Sequence, residues 1–277
     1  MGSAPKKIYD AVMVTQPSVM FRRNRSFYFL YDSAWLVLLA GLIALMRAVG
    51  WSGFDVGWGW HLVPILLGAC YIQVLSGVFI HNCTHSNWPR AINRLVGEIC
   101  GVIVMTRYAS WEILHRRHHK YPDDQEKDPH YVGPSFFKFL METMLINLER
   151  NLQQQFFEQW GGKTPQNVRR EQLRSVVSFG TMVVLFYAWY TALGGPIFFA
   201  VFLPSALAGI VHVAHFNWAT HDAKNADGEF KPVNLDSGLF WLGNRVCFGL
   251  YYHANHHKRA NLFNPMKLEQ AARLPVQ

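Results

Sequence analysis

Two short segments of the sequence repeat the histidine spacing H-x-x-H-H. The segment HRRHH covers residues 115–119, and the segment HANHH covers residues 253–257. A third segment, HNCTH at residues 81–85, places two histidines four positions apart. Imidazole nitrogens are efficient ligands for Fe, Zn, Cu and Ni. The spacing therefore predicts a metal site built from eight histidines: His81, His85, His115, His118, His119, His253, His256 and His257.

The number and spacing of these histidines bear on how many metal ions they bind. On an α-helix, side chains three and four positions apart project from one face, so each segment is expected to direct its histidines together. Eight ligands exceed the roughly four to six that one ion coordinates, so the sequence predicts two ions. A surface cluster that senses pH could use the same residue type. Such a cluster would not need the repeated spacing, so metal binding is the preferred interpretation.

The composition is typical of a membrane protein. Hydrophobic residues make up 51% of the chain and charged residues only 16%, below the roughly 25% of soluble domains. Four apolar blocks approach the ~20 residues that a helix needs to cross a bilayer. We predict an all-α membrane protein, with one domain over residues 1–277 and four transmembrane helices in two hairpins. The predicted spans cover about 28–50, 61–80, 175–194 and 196–216.

The distribution of charge predicts how these spans are oriented. Of the 26 Lys and Arg residues, all but Arg47 fall before the first span, in 81–174, or after 216. Positively charged segments favour the cytoplasmic side, so both termini and a histidine-rich cap, formed by 81–174 and 217–277, are predicted there. Shorter apolar stretches near 95–108, 136–160 and 239–250 are expected to lie at the interface. Membrane lipid, rather than nucleic acid, is the partner that explains the net charge of +8.

The three histidine segments, in this order around four predicted spans, resemble the histidine boxes of the integral-membrane fatty acid desaturase and hydroxylase superfamily. The resemblance covers residues from about 30 to 265. It implies a non-haem di-iron centre, two Fe ions that use O₂ to attack an unactivated C–H bond. It also implies an apolar slot between the spans for a long-chain acyl or lipid substrate.

The same resemblance implies further ligands beyond the three boxes. Members of the superfamily usually add one histidine near the last span, and several use an asparagine four residues earlier that meets a metal through water. The segment NWATH gives Asn217 and His221 this spacing. His221 is therefore the expected ninth ligand and Asn217 a ligand through water. His212 and His215 are the competing candidates on the same span.

Some residues near the boxes are expected to support the site or the substrate. Metal-bound histidines usually donate their second N–H to a carboxylate or carbonyl, and Asp128 and Asp222 are the expected carboxylates. Trp111, one turn before His115, is expected either to line the substrate path or to anchor the protein at the interface. His130, in the segment KDPHY, is expected in a solvated loop.

The resemblance favours a fatty-acyl desaturase, or an acetylenase, that forms a multiple carbon–carbon bond. A hydroxylase, or an oxidative decarboxylase that makes a terminal alkene, is the alternative on the same scaffold. A zinc hydrolase would need only three protein ligands and leave most histidines unexplained. A metal transporter would place its ligands near the bilayer midplane. Both are disfavoured.

The source of electrons is expected to be a separate protein. The sequence contains neither the His-Pro-Gly-Gly motif of a fused cytochrome nor a C-x-x-C segment among its four cysteines. The expected donor is a ferredoxin, a rubredoxin or a cytochrome with its reductase. A bacterial inner membrane is preferred over the endoplasmic reticulum as the location.

Overall fold

The structure is a computed structural model that describes residues 14–221, 223–224 and 230–268. Two short antiparallel strands, β1 (Ala223–Lys224) and β2 (Phe230–Lys231), and a 3₁₀ turn at Pro265–Lys267 accompany the helices. In chain order the helices are α1 (Pro17–Arg23), α2 (Phe27–Ala48), α3 (Leu62–Thr84), α4 (Asn93–Ile103), α5 (Tyr108–Lys120), α6 (Phe136–Lys138, then a π-helix over Phe139–Ile146 and an α-helix over Asn147–Gln159), α7 (Pro165–Leu193), α8 (Gly195–Ile197, then a π-helix over Phe198–Phe202 and an α-helix over Leu203–His221), α9 (Leu239–Val246) and α10 (His253–Lys258).

Four of the described helices, α2, α3, α7 and α8, are long and apolar enough to span a membrane. Their outer surfaces carry large apolar side chains, of which Val37, Leu67 and Phe179 are 71%, 67% and 73% exposed. Large apolar side chains exposed along several helices are unusual on proteins dissolved in water, and an α-helix satisfies its own backbone hydrogen bonds in lipid. The prediction of an all-α membrane fold with four spans is confirmed.

Two of the spans reach further than the hydropathy pattern indicated. Helix α7 begins at Pro165 rather than near residue 175, because the Thr164 side chain caps it by accepting a hydrogen bond from the Asn167 N–H. Helix α8 continues past residue 216 to His221. Both extensions are more polar than the spans, so apolar composition alone underestimates the helices. The extension of α8 carries His221 towards the other histidines.

The main helix contacts run between the two hairpins rather than within them. Helix α2 packs along α7, and α3 packs along α8 and the short helix α4. Helix α5 packs against α1, α3 and α6. This arrangement holds the ends of α3 and α8, which both carry histidines, beside α5.

The two loops opposite the histidines contact each other at a pair of glycines. Gly53 has a φ of +93° and Gly194 a φ of +78°. A Cβ atom on Gly53 would lie 2.4 Å from the Cα of Gly194, so a side chain does not fit there. The Phe54 N–H also donates to the Leu193 carbonyl at 3.3 Å. The loops 51–60 and 194–195 therefore lie at one end of the helices, as the sequence predicted.

A buried polar network joins α2 and α7 to α5 near the histidine end. The carboxylate of Asp32, which is fully buried, accepts hydrogen bonds from Arg107, at 3.0 Å, and from Ser178. Arg174 pairs with Glu171 at 2.6 Å. Hydrogen bonds and ion pairs offset the cost of burying polar groups, and the two partners of Asp32 on α2 lie at the start of α5 and on α7. The network thus fixes α5 relative to the spans.

Candidate metal centre

The nine histidines that the sequence indicated come together in two adjacent groups. Within each group, one potential ligand atom of every residue lies within 4.8 Å of the others. The first group contains His81, His85, His115, His119 and His256, and the second contains His118, His221, His253 and His257. The structure therefore brings all nine together, and their role as metal ligands stays a prediction.

Helix geometry explains why the box in α5 divides between the groups. Successive residues rotate by about 100° around a helix, so His119 lies about 40° from His115 on one side and His118 about 60° on the other. His115 and His119 belong to the first group, and His118 belongs to the second. The expectation that all three side chains point in one direction is wrong, because residues i+3 and i+4 lie on opposite sides of residue i around the helix.

The same rule holds for the other two boxes. In α10, His253 and His257 are four residues apart and share the second group, whereas His256 joins the first. At the end of α3, His81 and His85 are also four residues apart and share the first group. Each H-x-x-H-H segment therefore supplies a pair to one group and a single histidine to the other. The repeated spacing is what a two-centre site requires.

Several ring nitrogens lie close together, and neutral imidazoles carry too few N–H groups for all of these nitrogens to be hydrogen-bonded to one another. The Nε2 atoms of His221 and His253 lie 2.8 Å apart, and those of His119 and His256 lie 2.9 Å apart. The Nε2 of His118 is buried with no hydrogen-bond partner in the described part of the chain. A buried nitrogen lone pair without a donor is costly, and a cation between the nitrogens would satisfy it. The donor set therefore fits a transition metal in each group.

Burial keeps the imidazoles in the form that binds a metal. Burial lowers the pKa of His115, His118, His253 and His256 well below the ordinary value, and neighbouring histidines lower each of them further. A protonated imidazole has no lone pair on nitrogen and is not a ligand. These histidines are therefore neutral at physiological pH.

Asp128 is hydrogen-bonded to one of these histidines. Its carboxylate accepts from Nδ1 of His118 at 2.9 Å and from the backbone N–H groups of Asp123 and His130, at 2.8 and 2.7 Å. A donor at Nδ1 leaves the Nε2 lone pair of His118 directed at the second group. Burial raises the pKa of the Asp128 carboxyl, whereas His130 and the two backbone donors lower it. The contact matches the support expected for Asp128.

A second carboxylate, Asp123, supports the second group and was not singled out by the sequence. It accepts from Nδ1 of His221 at 2.9 Å. Its φ of +62° is a left-handed conformation that aspartate tolerates better than most residues. The expected partner, Asp222, lies outside the described residues. The clue was the run of acids after the second box, but only the turn shows which acid reaches His221.

The expectation for His130 was wrong, because its side chain is buried rather than solvated. It is only 5% exposed, and its ring centroid lies 5.6 Å from that of His118. It belongs to neither histidine group. The backbone of the 121–130 loop turns back onto α5 to bring Asp128 to His118, and that turn carries His130 inward.

Trp111 and Asn217 border the site. The Trp111 ring stacks on His115, with centroids 6.0 Å apart and an interplanar angle of 13°. Asn217 is buried beside the first group, and its Nδ2 donates to the Val213 carbonyl at 2.8 Å. The amide oxygen of Asn217 is the atom that could meet a metal-bound water.

The competing histidines of α8 lie outside both groups. His212 contacts the hydroxyl of Tyr251 at 3.2 Å. His215 stacks on Phe240, with an interplanar angle of 10°. Of the three candidates on this helix, only His221 reaches the ligand set.

An apolar cavity of about 620 Å³ leads towards the histidines. It lies between α3, α7, α8, α5 and α6, and its walls include Leu148, Met182 and Ile210. A smaller cavity of about 30 Å³ continues from it to His81 and His115. Four residues line both cavities and form what we call the neck: Gly77, Trp111, His130 and Val213. The position of Trp111 in the neck supports the substrate-path interpretation of that residue.

Membrane-length helices that gather nine histidines at one end define a class of helical membrane protein with a histidine cluster that could bind metal ions. The family model described as fatty acid desaturase matches residues 57–262. This chain belongs to the fatty acid desaturase family.

Comparison with curated proteins gives relatives in bacteria and a plant. An sn-1 oleoyl-lipid 12-desaturase of Anabaena variabilis is 26% identical over 198 residues, which cover 68% of this chain and 47% of that protein. The protein of the same name from Arthrospira platensis is 29% identical over 123 residues, covering 43% and 32%. A Delta(12) fatty acid dehydrogenase of Crepis alpina is 22% identical over 274 residues, covering 83% and 68%. The chain thus spans less than half of the first two relatives. No solved structure matches the chain.

Proposed function

We propose that this protein is an O₂-dependent desaturase that inserts a C=C bond into a long acyl chain held in the apolar cavity. The observation that carries the proposal is that the first histidine group, which adjoins the second, lies at the inner end of that cavity. An oxidising metal site next to an apolar slot suits an unactivated methylene group, which offers no polar handle for other chemistry.

The nine histidines would hold two iron ions, one in each group. Asn217 would contact the ion of the first group through water. Bound iron would activate O₂ and supply the oxidant that removes two hydrogens from the chain. Zinc carries out no redox chemistry and has four-coordinate sites, whereas nine imidazoles in two groups support two redox-active ions.

The net reaction follows from the products. Two adjacent CH₂ groups, O₂, two electrons and two protons give one CH=CH unit and two molecules of water. The substrate supplies two of the four electrons that reduce O₂, and a one-electron carrier protein supplies the other two in two steps. Asp128 and Asp123 would hold His118 and His221 in the tautomer that binds metal, and the neck, whose residues are buried or half-buried, would exclude bulk water.

The cavity opens on the lipid-facing surface, which supports a membrane lipid as the substrate. Leu145 and Phe179 line the cavity and are 49% and 73% exposed at the outer surface between α6 and α7. An acyl chain could therefore slide in sideways from the bilayer while its head group stays at the interface. The names of the oleoyl-lipid relatives agree with a lipid-linked chain, and we extend that substrate class to this protein.

The orientation that we propose places the histidine groups and both termini on the cytoplasmic side. Arg47 is the one basic residue of the sequence near the opposite end, and this asymmetry supports the orientation. A bacterial inner membrane remains the preferred location.

The test is to reconstitute the purified, iron-loaded protein with lipid, O₂ and a reduced carrier protein, and to analyse the lipid by mass spectrometry. The expected product is two mass units lighter than its substrate. A product one oxygen heavier, or a shortened alkene, would replace desaturation by hydroxylation or decarboxylation on the same site. The matched control is His118→Ala, for which no product is expected.

A further inference from the structure

A basic groove lies on the face of α5 that points away from the histidines. Its volume is about 280 Å³. Its lining includes Arg22, Arg116, Arg117, Lys120, Tyr121 and Glu158. We infer that this groove is the docking site of the electron donor, a soluble one-electron carrier protein with an acidic face; the inference rests on the proposed function.

The groove and the metal site share one helix. With His115 taken as 0°, His118 and His119 lie at about −60° and +40° around α5, whereas Arg116 and Lys120 lie at about +100° and +140°. Arg116 is adjacent in the chain to His115. A carrier in the groove would therefore be separated from the histidines by the thickness of a single helix.

A direct hydrogen bond also connects the groove to the first histidine group. Arg116 donates to the Thr84 carbonyl at 2.6 Å, and Thr84 precedes His85 in the chain. Arg116 also pairs with the buried carboxylate of Glu112. A hydrogen bond thus connects Arg116 in the groove wall to Thr84, the residue before the predicted ligand His85. Such a connection could carry electrons from the groove to the metal site.

The groove has a net positive potential. Arg117 pairs with Glu158 at 3.1 Å, and Arg116 pairs with Glu112, so those charges are partly balanced. Arg22 and Lys120 are exposed and form no ion pair with any residue in 14–221 or 230–268. Complementary charge steers protein association, so an acidic partner fits here.

The head group of the acyl substrate does not fit this groove. A hydrophobic cluster fills the space between the groove and the apolar cavity, and it includes Phe21, Ile113, Leu114, Leu152 and Phe156. An acyl chain whose end lies in the neck would have to cross this cluster to place its head group among the arginines. The basic charge is therefore available to a separate partner.

The test compares two double variants with the same change in charge. In the first, Arg22→Glu and Lys120→Glu reverse the two unpaired cations of the groove. In the control, Arg23→Glu and Lys163→Glu reverse two exposed cations outside it. Binding of a plant-type [2Fe–2S] ferredoxin, an acidic carrier, is measured by surface plasmon resonance on the protein in nanodiscs of neutral lipid, at low and high salt. Circular dichroism checks that both variants are folded.

We expect the groove variant to weaken ferredoxin binding by at least about ten-fold and to lose most of the salt dependence, while the control binds like the wild type. Equal weakening of both variants, or of neither, would overturn the inference. A difference that appears only in nanodiscs of anionic lipid would also overturn it, because the groove would then bind lipid phosphate.

A second measurement separates this inference from the proposed function. The iron-loaded wild type and groove variant are reduced with dithionite and exposed to O₂ and lipid for a single turnover. Equal yields of the desaturated lipid, together with weak ferredoxin binding by the variant, support the docking site. No product from either protein would refute the proposed function. The docking site would then be judged by the ferredoxin-binding measurement.

Discussion

Replacing Asp128 with asparagine should weaken one of the two metal sites selectively. The Asp128 carboxylate accepts from three donors, the Nδ1 of His118 and the backbone N–H groups of Asp123 and His130. Asparagine has the same shape but one acceptor oxygen, and its NH₂ group would face at least one of these donors. Because His118 belongs to the second group, the loss should fall on the ion held there.

The expected size of the effect follows from the bonds that are lost. A buried hydrogen bond to a charged group contributes about 1.5–3 kcal/mol, which corresponds to about a 10- to 100-fold change in an equilibrium constant. Changing the hydrogen-bond partner of a metal-bound histidine typically costs the same 10- to 100-fold in metal affinity. We therefore expect Asp128→Asn to bind one iron normally and the other about 10- to 100-fold more weakly.

The assay is an anaerobic titration of the metal-free protein with Fe(II) in competition with a chelator. The matched control is Asp124→Asn in the same loop, because the Asp124 side chain is 35% exposed, accepts from the backbone N–H groups of Glu126 and Lys127, and pairs with the Lys127 ammonium at 3.7 Å. The control should bind both irons like the wild type. Two sites of unchanged affinity in folded Asp128→Asn would refute the reasoning, as would equal weakening of both sites.

Three further substitutions test other parts of the structure. His130→Ala should retain two irons per chain, because His130 is in neither group, whereas His118→Ala should retain about one, measured by plasma emission spectrometry; equal iron loss in both would make His130 a ligand. Gly77→Leu should fill the neck and lower turnover by about 100-fold with unchanged iron content, whereas Gly68→Leu, which points into open space on the same helix, should stay active. A blocked neck with full activity would exclude this path. Gly53→Ala should destabilise the fold by at least about 1 kcal/mol, seen as a lower unfolding temperature, and Gly57→Ala in the same loop should not; unchanged melting of Gly53→Ala would contradict the close approach to Gly194.

The sequence predicted the spans and the eight histidines of the three boxes because both depend on short-range patterns. A span requires only a run of apolar residues, and the helical period relates His115 to His119 and His253 to His257. The asymmetric support of the second group by Asp123 and Asp128 could not be predicted, because it depends on how the 121–130 loop turns back onto α5. The burial of His130 has the same cause.

Other features depend on contacts between distant segments. The neck forms where Gly77 on α3 meets Val213 on α8 and Trp111 on α5, and no local pattern relates these positions. The basic groove likewise combines Arg22 from α1 with Lys120 from α5. Tertiary packing, rather than sequence period, creates both features.

The metal content of the protein tests the central claim most directly. The protein would be purified without oxygen from cells supplied with ⁵⁷Fe, and its metals would be measured by plasma emission and Mössbauer spectroscopy. Two irons per chain in two histidine-rich environments are predicted. One ion per chain, or zinc in protein that is active, would contradict a two-iron centre built from the nine histidines.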